Sequence, residues 1–209
     1  MATQRRERIR IACVPTLAST RLGNILTNFK RRYPRSVVEL KETSTTAAAA
    51  LLQNQEIELF IGPEIPRLAD FHFEPVLEDR LVACVPPEFD GGMSRMTMKE
   101  IADFPLIVLD HQTAIRSIID RISDENTISL NIEYEVQHAY TAMALASAGV
   151  GVAVVPLIAV PMLSGAAFRV VPISDAKAER AVGILTARGH VLHGYTLQLM
   201  DLIRKELRR

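Results

Sequence analysis

Four short turns carry the side chains best suited to holding a ligand: Pro15-Thr16-Leu17-Ala18-Ser19-Thr20, Thr43-Ser44-Thr45-Thr46, Asp110-His111-Gln112-Thr113, and the looser Gln137-His138-Ala139-Tyr140-Thr141. Each follows an apolar, strand-like run and precedes a stretch with helical periodicity. Hydroxyls at such a junction can cap the helix that follows. The junction also presents free N–H groups at the positive end of the helix dipole, so it can receive a carboxylate or another anion. Capping for stability is the commoner use of any single turn; four of them together point to a shared ligand cleft. Arg116 lies just inside the helix that follows Thr113, where a cation opposes the dipole unless an anion offsets it. A bound ligand would do so, and so would an ion pair with Asp120 one turn further on.

Catalytic readings of the same residues are weaker. Asp110-His111 could form an acid–base pair, but no activated Ser or Cys accompanies it, and His111 reads first as a polar turn residue. His190 and His193 stand at i, i+3 without an evident third metal ligand, which favours a solvated pair. Gly149-Val-Gly151 follows a helix rather than opening one, so it reads as a cap and tight turn and not as a phosphate loop. Cys13 and Cys84 sit within apolar runs and read as buried thiols. The expectation is a binding domain with no catalytic residue, metal or cofactor.

These turns need a scaffold that brings them together. In order, the chain reads as a strand at Ile9–Val14, a helix with Leu22, Ile25, Leu26 and Phe29 on one face, a strand at Val37–Leu40, an alanine-rich helix, and a strand at Ile57–Ile61. This β-α-β-α-β run implies parallel strands with helical crossovers. After a loop over Glu64–Phe73 the kind of pattern repeats: strands at Leu81–Val85, Leu106–Leu109, Ile132–Val136 and Val152–Val155, with helices on the Ile115/Ile118/Ile119/Ile122 face and over Tyr140–Ala148. Strands at Phe168–Val171 and Val182–Thr186 follow, and a last helix carries Leu199, Leu202, Ile203 and Leu207.

A length of 209 residues suits two lobes of roughly 100 residues each. Lys+Arg and Asp+Glu both count 24, so the formal net charge is zero, which argues against this piece gripping a nucleic-acid backbone itself. The polar start leads directly into a strand with no signal-peptide pattern, and the apolar stretch 151–163 is broken by Pro156 and Pro161. A cytoplasmic protein without membrane contact is expected.

Several segments resemble one family. Ile9-Arg-Ile-Ala, Leu22-Gly-Asn-Ile-Leu-Thr-Asn-Phe-Lys-Arg-Arg-Tyr-Pro34 and Val38-Glu-Leu-Lys-Glu-Thr-Ser look like the opening of the effector-binding domain of LysR-type transcriptional regulators. Leu51-Leu-Gln-Asn-Gln-Glu-Ile-Glu-Leu-Phe-Ile-Gly62 is similar to that family's L-x-x-G-x-L-D-L-A-I segment, with Gln55 and Glu58 where Gly and Asp are usual. Leu77-Glu-Asp-Arg-Leu-Val-Ala-Cys-Val-Pro86 and Ala146-Ser-Ala-Gly-Val-Gly-Val-Ala-Val-Val-Pro156 look like two further signatures. The resemblance covers nearly the whole chain in order.

The resemblance implies an α/β fold of two Rossmann-like lobes joined by two crossover strands, like type 2 periplasmic binding proteins. Residues 1–84 with 187–209 would form the first regulatory lobe and residues 85–186 the second. A winged helix-turn-helix domain would lie upstream, with Arg5-Arg6-Glu7-Arg8 as the tail of the linker helix, and the partners would be a small-molecule effector, a homodimer or homotetramer, and DNA only through that upstream domain. Effector contacts would be Thr16 and Ser19, Thr43 and Ser44, Gln112, Thr113 and Arg116, and Gln137 and His138. Hydroxyl-rich turns with an arginine suggest a small carboxylate or other anion. The alternative is a stand-alone solute-binding protein of a transporter with the same fold; a small cleft enzyme built on His111 ranks third.

Overall fold

The computed structural model describes residues 7–65, 68–163, 165–192 and 194–208. The chain divides into two units, one made of Met1–Leu77 with Ala181–Arg209 and the other of Glu78–Arg180. The first unit contains β1 (Arg8–Cys13), α1 (Pro15–Leu17), a π-helical stretch at Ala18–Leu22 and α2 (Gly23–Arg32). Next come β2 (Val37–Glu42), α3 (Thr45–Gln53) and β3 (Leu59–Pro63). Strand β1 lies in the middle, parallel to β2 on one side and to β3 on the other. Parallel neighbours require a crossover, and the helices that supply it carry the apolar face that the sequence spacing predicts: Leu22, Ile25 and Phe29 are all buried.

One expectation fails. Residues through Phe73 read as loop, but the long strand β4 (Phe71–Val85) begins at Phe71. Its first part alternates few apolar residues and includes Pro75, His72 and Glu74, so hydrophobic periodicity cannot reveal it.

The second unit continues β4 and adds α4 (Met98–Ile101), β5 (Leu106–Leu109), α5 (Ala114–Glu125), β6 (Ile132–Val136), α6 (Ala139–Ser147), β7 (Val152–Pro156) and β8 (Arg169–Pro172). Here β5 is the central parallel strand, paired with β6 and β7, and β4 pairs antiparallel with both β7 and β8. The core is formed by Val82–Val85, Leu106–Leu109 and Val152–Val155, covered by Ile115, Ile119 and Ile122 of α5 and by Ala142, Met143 and Ala146 of α6. Small residues let α6 lie close on the sheet, and Gly149, at φ 83°, ends it.

Strand β9 (Glu179–Ala187) returns the chain to the first unit, where it pairs antiparallel with β3 and leads to α7 (Tyr195–Leu207). Two carboxylates hold the start of α7. Glu7 Oε1 accepts from the Tyr195 N–H at 3.1 Å, and Glu58 Oε2 accepts from the Thr196 hydroxyl at 2.5 Å, both favourable at the positive end of the dipole. Among the described residues no helix is long and apolar enough to cross a membrane.

Two features yield predictions. Gln55, which stands where the resembled family has Gly, adopts φ 56° in the turn between α3 and β3. A side chain is disfavoured there, so Gln55→Gly should stabilise the domain by roughly 1 kcal/mol in urea unfolding; a loss would contradict the strain. Asp79, 3% exposed, accepts from Arg180 Nε at 3.0 Å, from Arg180 Nη2 at 2.8 Å and from the Ile158 N–H at 3.1 Å. Asp79→Ala leaves the guanidinium buried without its carboxylate and should cost about 3–5 kcal/mol, whereas Asp79→Leu with Arg180→Met should lie much closer to neutral. A single-variant cost below about 1 kcal/mol would contradict this account.

Candidate functional site

In the first unit the turns after β1 and β2 lie side by side, because Cys13 is in register with Glu42 and the Thr43 N–H donates to the Cys13 carbonyl at 3.1 Å. This brings the Thr16/Ser19 segment and the Thr43/Ser44 segment to the carboxyl edge of one parallel sheet, where α/β proteins bind ligands. Ser44 caps α3, its hydroxyl accepting from the Ala47 N–H at 3.3 Å. Thr43 is half-buried and Ser19 exposed.

The first turn departs from expectation. Its hydroxyls were expected to cap a helix beginning after Thr20, but Pro15 occupies the first helical position and starts the helix directly behind Val14, with no side-chain cap. Proline suits that position because its φ is preset and its missing N–H would have had no partner there. The hydroxyls therefore fall inside the helix. Ser19 Oγ donates to the Pro15 carbonyl at 2.8 Å and Thr20 Oγ1 to the Thr16 carbonyl at 2.6 Å, and the backbone widens into the π-helical stretch Ala18–Leu22. Such back-bonding competes with the regular helical ladder, and π turns concentrate at functional sites.

In the second unit the turns after β5 and β6 are joined through backbone: the Asp110 N–H donates to the Val136 carbonyl at 3.0 Å. Asp110 organises its own turn. Its carboxylate accepts from the Gln112 N–H at 3.1 Å, and its carbonyl accepts from the Thr113 hydroxyl at 2.9 Å. Thr113 Oγ1 also caps α5 by accepting from the Arg116 N–H at 3.2 Å. His138 occupies the equivalent position before α6 but makes no side-chain cap, so the amides opening α6 are not closed by a side chain. Gln112, Gln137 and His138 are exposed.

Arg116 is engaged within the protein. Its side chain is 8% exposed, with Nε 2.7 Å from Asp120 Oδ1 and Nη1 2.6 Å from Glu135 Oε2. Burial works against its charge, but the hydrogen bonds to Asp120 and Glu135 outweigh that and hold its pKa above the ordinary arginine value. The pairing with Asp120 was legible as an i, i+4 spacing; Glu135, on another element, was not. His111 lies over the same carboxylates, Nδ1 at 3.5 Å from Asp120 Oδ2 and Nε2 at 3.6 Å from Glu135 Oε2. The Asp110 carboxylate instead faces the Gln112 amide, while the His111 ring is turned towards Asp120 and Glu135.

Elsewhere, Cys13 and Cys84 are buried thiols, and desolvation pushes Cys84 up to about 12. His193 lies outside the described residues. His190 lines a pocket of about 350 Å³ in the first unit with Leu52, Gln53, Gln55 and Arg188. Among the described residues no group of His, Cys, Asp and Glu is placed to hold a metal ion.

Comparison with known proteins adds to this geometry. A family model described as LysR substrate binding domain matches residues 2–208. The uncharacterized HTH-type transcriptional regulator YybE of Bacillus subtilis (strain 168) is 23% identical over 178 residues, which cover 85% of this chain and 60% of the relative. The regulatory domain of Synechocystis PCC6803 CcmR in complex with 2-PG superposes with a TM-score of 0.86 at 20% identity, covering 96% of this chain and 97% of that one. The effector binding domain of QuiR in complex with shikimate gives a TM-score of 0.84 at 18% identity over the same shares. At these identities the structures establish the fold, the two-lobed α/β architecture like that of periplasmic binding proteins. The chain spans about 60% of the length of the first curated relatives that it matches.

The caps make a prediction that needs no ligand. Ser44→Ala and Thr113→Ala should each cost about 1 kcal/mol in urea unfolding, while Ser19→Ala, exposed and bonded only within its own helix, should stay within about 0.5 kcal/mol. Equal losses at all three would contradict the distinction between capping and back-bonding.

Proposed function

The chain belongs to the LysR substrate binding domain family, and from that membership we propose that it is the sensing part of a cytoplasmic transcription regulator whose two units are the regulatory lobes. It binds a small effector without transforming it, and the effector's presence alters DNA binding by a winged helix-turn-helix domain upstream in a homodimer or homotetramer. The family match favours this over a transporter's solute-binding protein.

The observation that supports this reading is that each unit carries two of the four turns, each placed after a parallel strand. Thr16/Ser19 and Thr43/Ser44 in the first unit, and Gln112/Thr113 and Gln137/His138 in the second, all follow parallel strands and open helices. Hydroxyls, amides and helix amides at such edges suit a small carboxylate or phosphate-bearing acid. Arg116 enters differently, because Asp120 and Glu135 already engage its charge. An effector that binds one conformational state of the domain better than another shifts the population towards it, by no more than its differential affinity, typically about 1–3 kcal/mol.

The test is thermal unfolding across a panel of small acids that includes shikimate and benzoate. A true effector at 100 times its Kd should stabilise the domain by about 2.7 kcal/mol. Thr16→Ala, Thr43→Ala and Thr113→Ala should each weaken it by about tenfold, the loss of roughly one good hydrogen bond. A ligand that binds all three variants unchanged would overturn the site, and a panel without any stabilising acid would overturn the ligand class.

A further inference from the structure

We propose that Arg116 is a positioning residue that locks the two effector-facing turns of the second unit into one block; this rests on the effector reading of those turns. The bonds around it form a closed circuit. The Arg116 N–H is received by Thr113 Oγ1, the Thr113 hydroxyl donates to the Asp110 carbonyl, and the Asp110 N–H donates to the Val136 carbonyl. Glu135, the neighbour of Val136 on β6, closes the circuit by accepting from Arg116 Nη1 at 2.6 Å. The turn after β5 and the turn after β6 are thereby joined twice, once through backbone and once through Arg116.

Several observations separate this from an ordinary surface ion pair. The Arg116 side chain is buried while its partners are partly exposed, so the cation is fixed and the carboxylates come to it. Strand β6 is an edge strand, paired with β5 on one side through Leu109 and Val136, and its middle residues Glu133, Tyr134 and Glu135 are all exposed, so side-chain packing adds little to what the ladder supplies at its end. Glu135 lies two residues before Gln137, so its bond to Arg116 sets where that turn begins. His111, in the other turn, rests 3.5 Å and 3.6 Å from the same two carboxylates. Arg116 also balances acidic groups beside turns proposed to receive an acid. Without it, Asp110, Asp120 and Glu135 would face an incoming anion with no fixed cation among them, and like charges repel.

The experiment follows amide hydrogen exchange by NMR in the 209-residue chain, comparing Glu135→Gln, Arg116→Met and the double variant. Glu135→Gln should speed exchange at Asp110 and Thr113, on the opposite turn, by about tenfold, while Leu106 and Val152 at the far end of the same sheet stay unchanged. The double variant should exchange no faster than the faster single variant, because both remove one tie. Unchanged exchange at Asp110 and Thr113, or equal acceleration at Leu106 and Val152, overturns the lock and leaves a merely stabilising pair. Should Arg116→Met fail to fold, Glu135→Gln decides alone, since its side chain is partly exposed and nearly isosteric. A stabilising acid from the panel should bind Glu135→Gln about tenfold more weakly, as expected when an effector turn is loosened; unchanged binding overturns the role in effector recognition. A panel without any binding acid counts against the effector reading alone, because the exchange comparison needs no ligand.

Discussion

Parallel strand pairing is the constraint from which the rest follows. An antiparallel neighbour can be reached by a tight turn, but a parallel neighbour requires the chain to travel back along the whole strand, and a helix laid on the sheet is the compact way to do so. With β1 parallel to β2 and β3, and β5 parallel to β6 and β7, each unit must place strand ends and helix starts along one edge. That edge collects the unsatisfied amides and positive dipole ends of several helices. What distinguishes the four turns is how each helix start is closed. Ser44 and Thr113 close α3 and α5 with side-chain caps, whereas α1 begins on a proline and α6 begins after His138 without one. Among these four turns, each unit thus offers one capped and one uncapped helix start.

Charge is handled by a second rule, that a buried cation needs its carboxylates already in place. Arg180 and Arg116 both obey it, with different consequences. Arg180 meets Asp79 where both are almost wholly buried, and Asp79 also receives a backbone N–H, so this pair belongs to the interior. Arg116 takes its carboxylates from α5 and from an exposed edge strand, where Glu135 lies two residues before the Gln137 turn. The same chemistry is structural in one place and adjacent to the proposed site in the other.

Much of this was legible in the sequence because it depends on local pattern. Apolar runs revealed most strands, Leu22/Ile25/Phe29 revealed a helix face, and Thr113 before Ile115 signalled a cap. The failures share a cause: the deciding interaction was distant or concealed by an unusual residue. Glu135 is remote from Arg116 in sequence, so no spacing rule could pair them, whereas Asp120 at i+4 was visible. The first part of β4 lacks apolar alternation. In the first turn, the string of hydroxyls after Pro15 drew attention as caps, although proline at the first helical position is the stronger start signal. Gln55 is the reverse case. The departure from Gly was visible in the sequence, and the left-handed backbone at that residue supplies the physical reason Gly is usual there.

These features bear on what kind of sensor the fold can be. A free buried arginine would bind an acid strongly and with little regard to the rest of the molecule, because a charged pair dominates the affinity in a low-dielectric setting. Here the buried arginine of the second unit's turn is already paired, and the exposed side chains of the proposed turns include the neutral hydroxyl of Ser19 and the amides of Gln112 and Gln137. Hydrogen bonds of that kind contribute about 0.5–1.5 kcal/mol each and are lost when geometry is imperfect. On the proposed reading, affinity accumulates only when more than one turn engages, which would make it sensitive to the shape of the ligand. It also keeps the total modest enough for an equilibrium between states to remain reversible, with couplings of about 1–3 kcal/mol. On this argument Arg116 contributes more by fixing the neutral donors in place than it would by touching the effector itself.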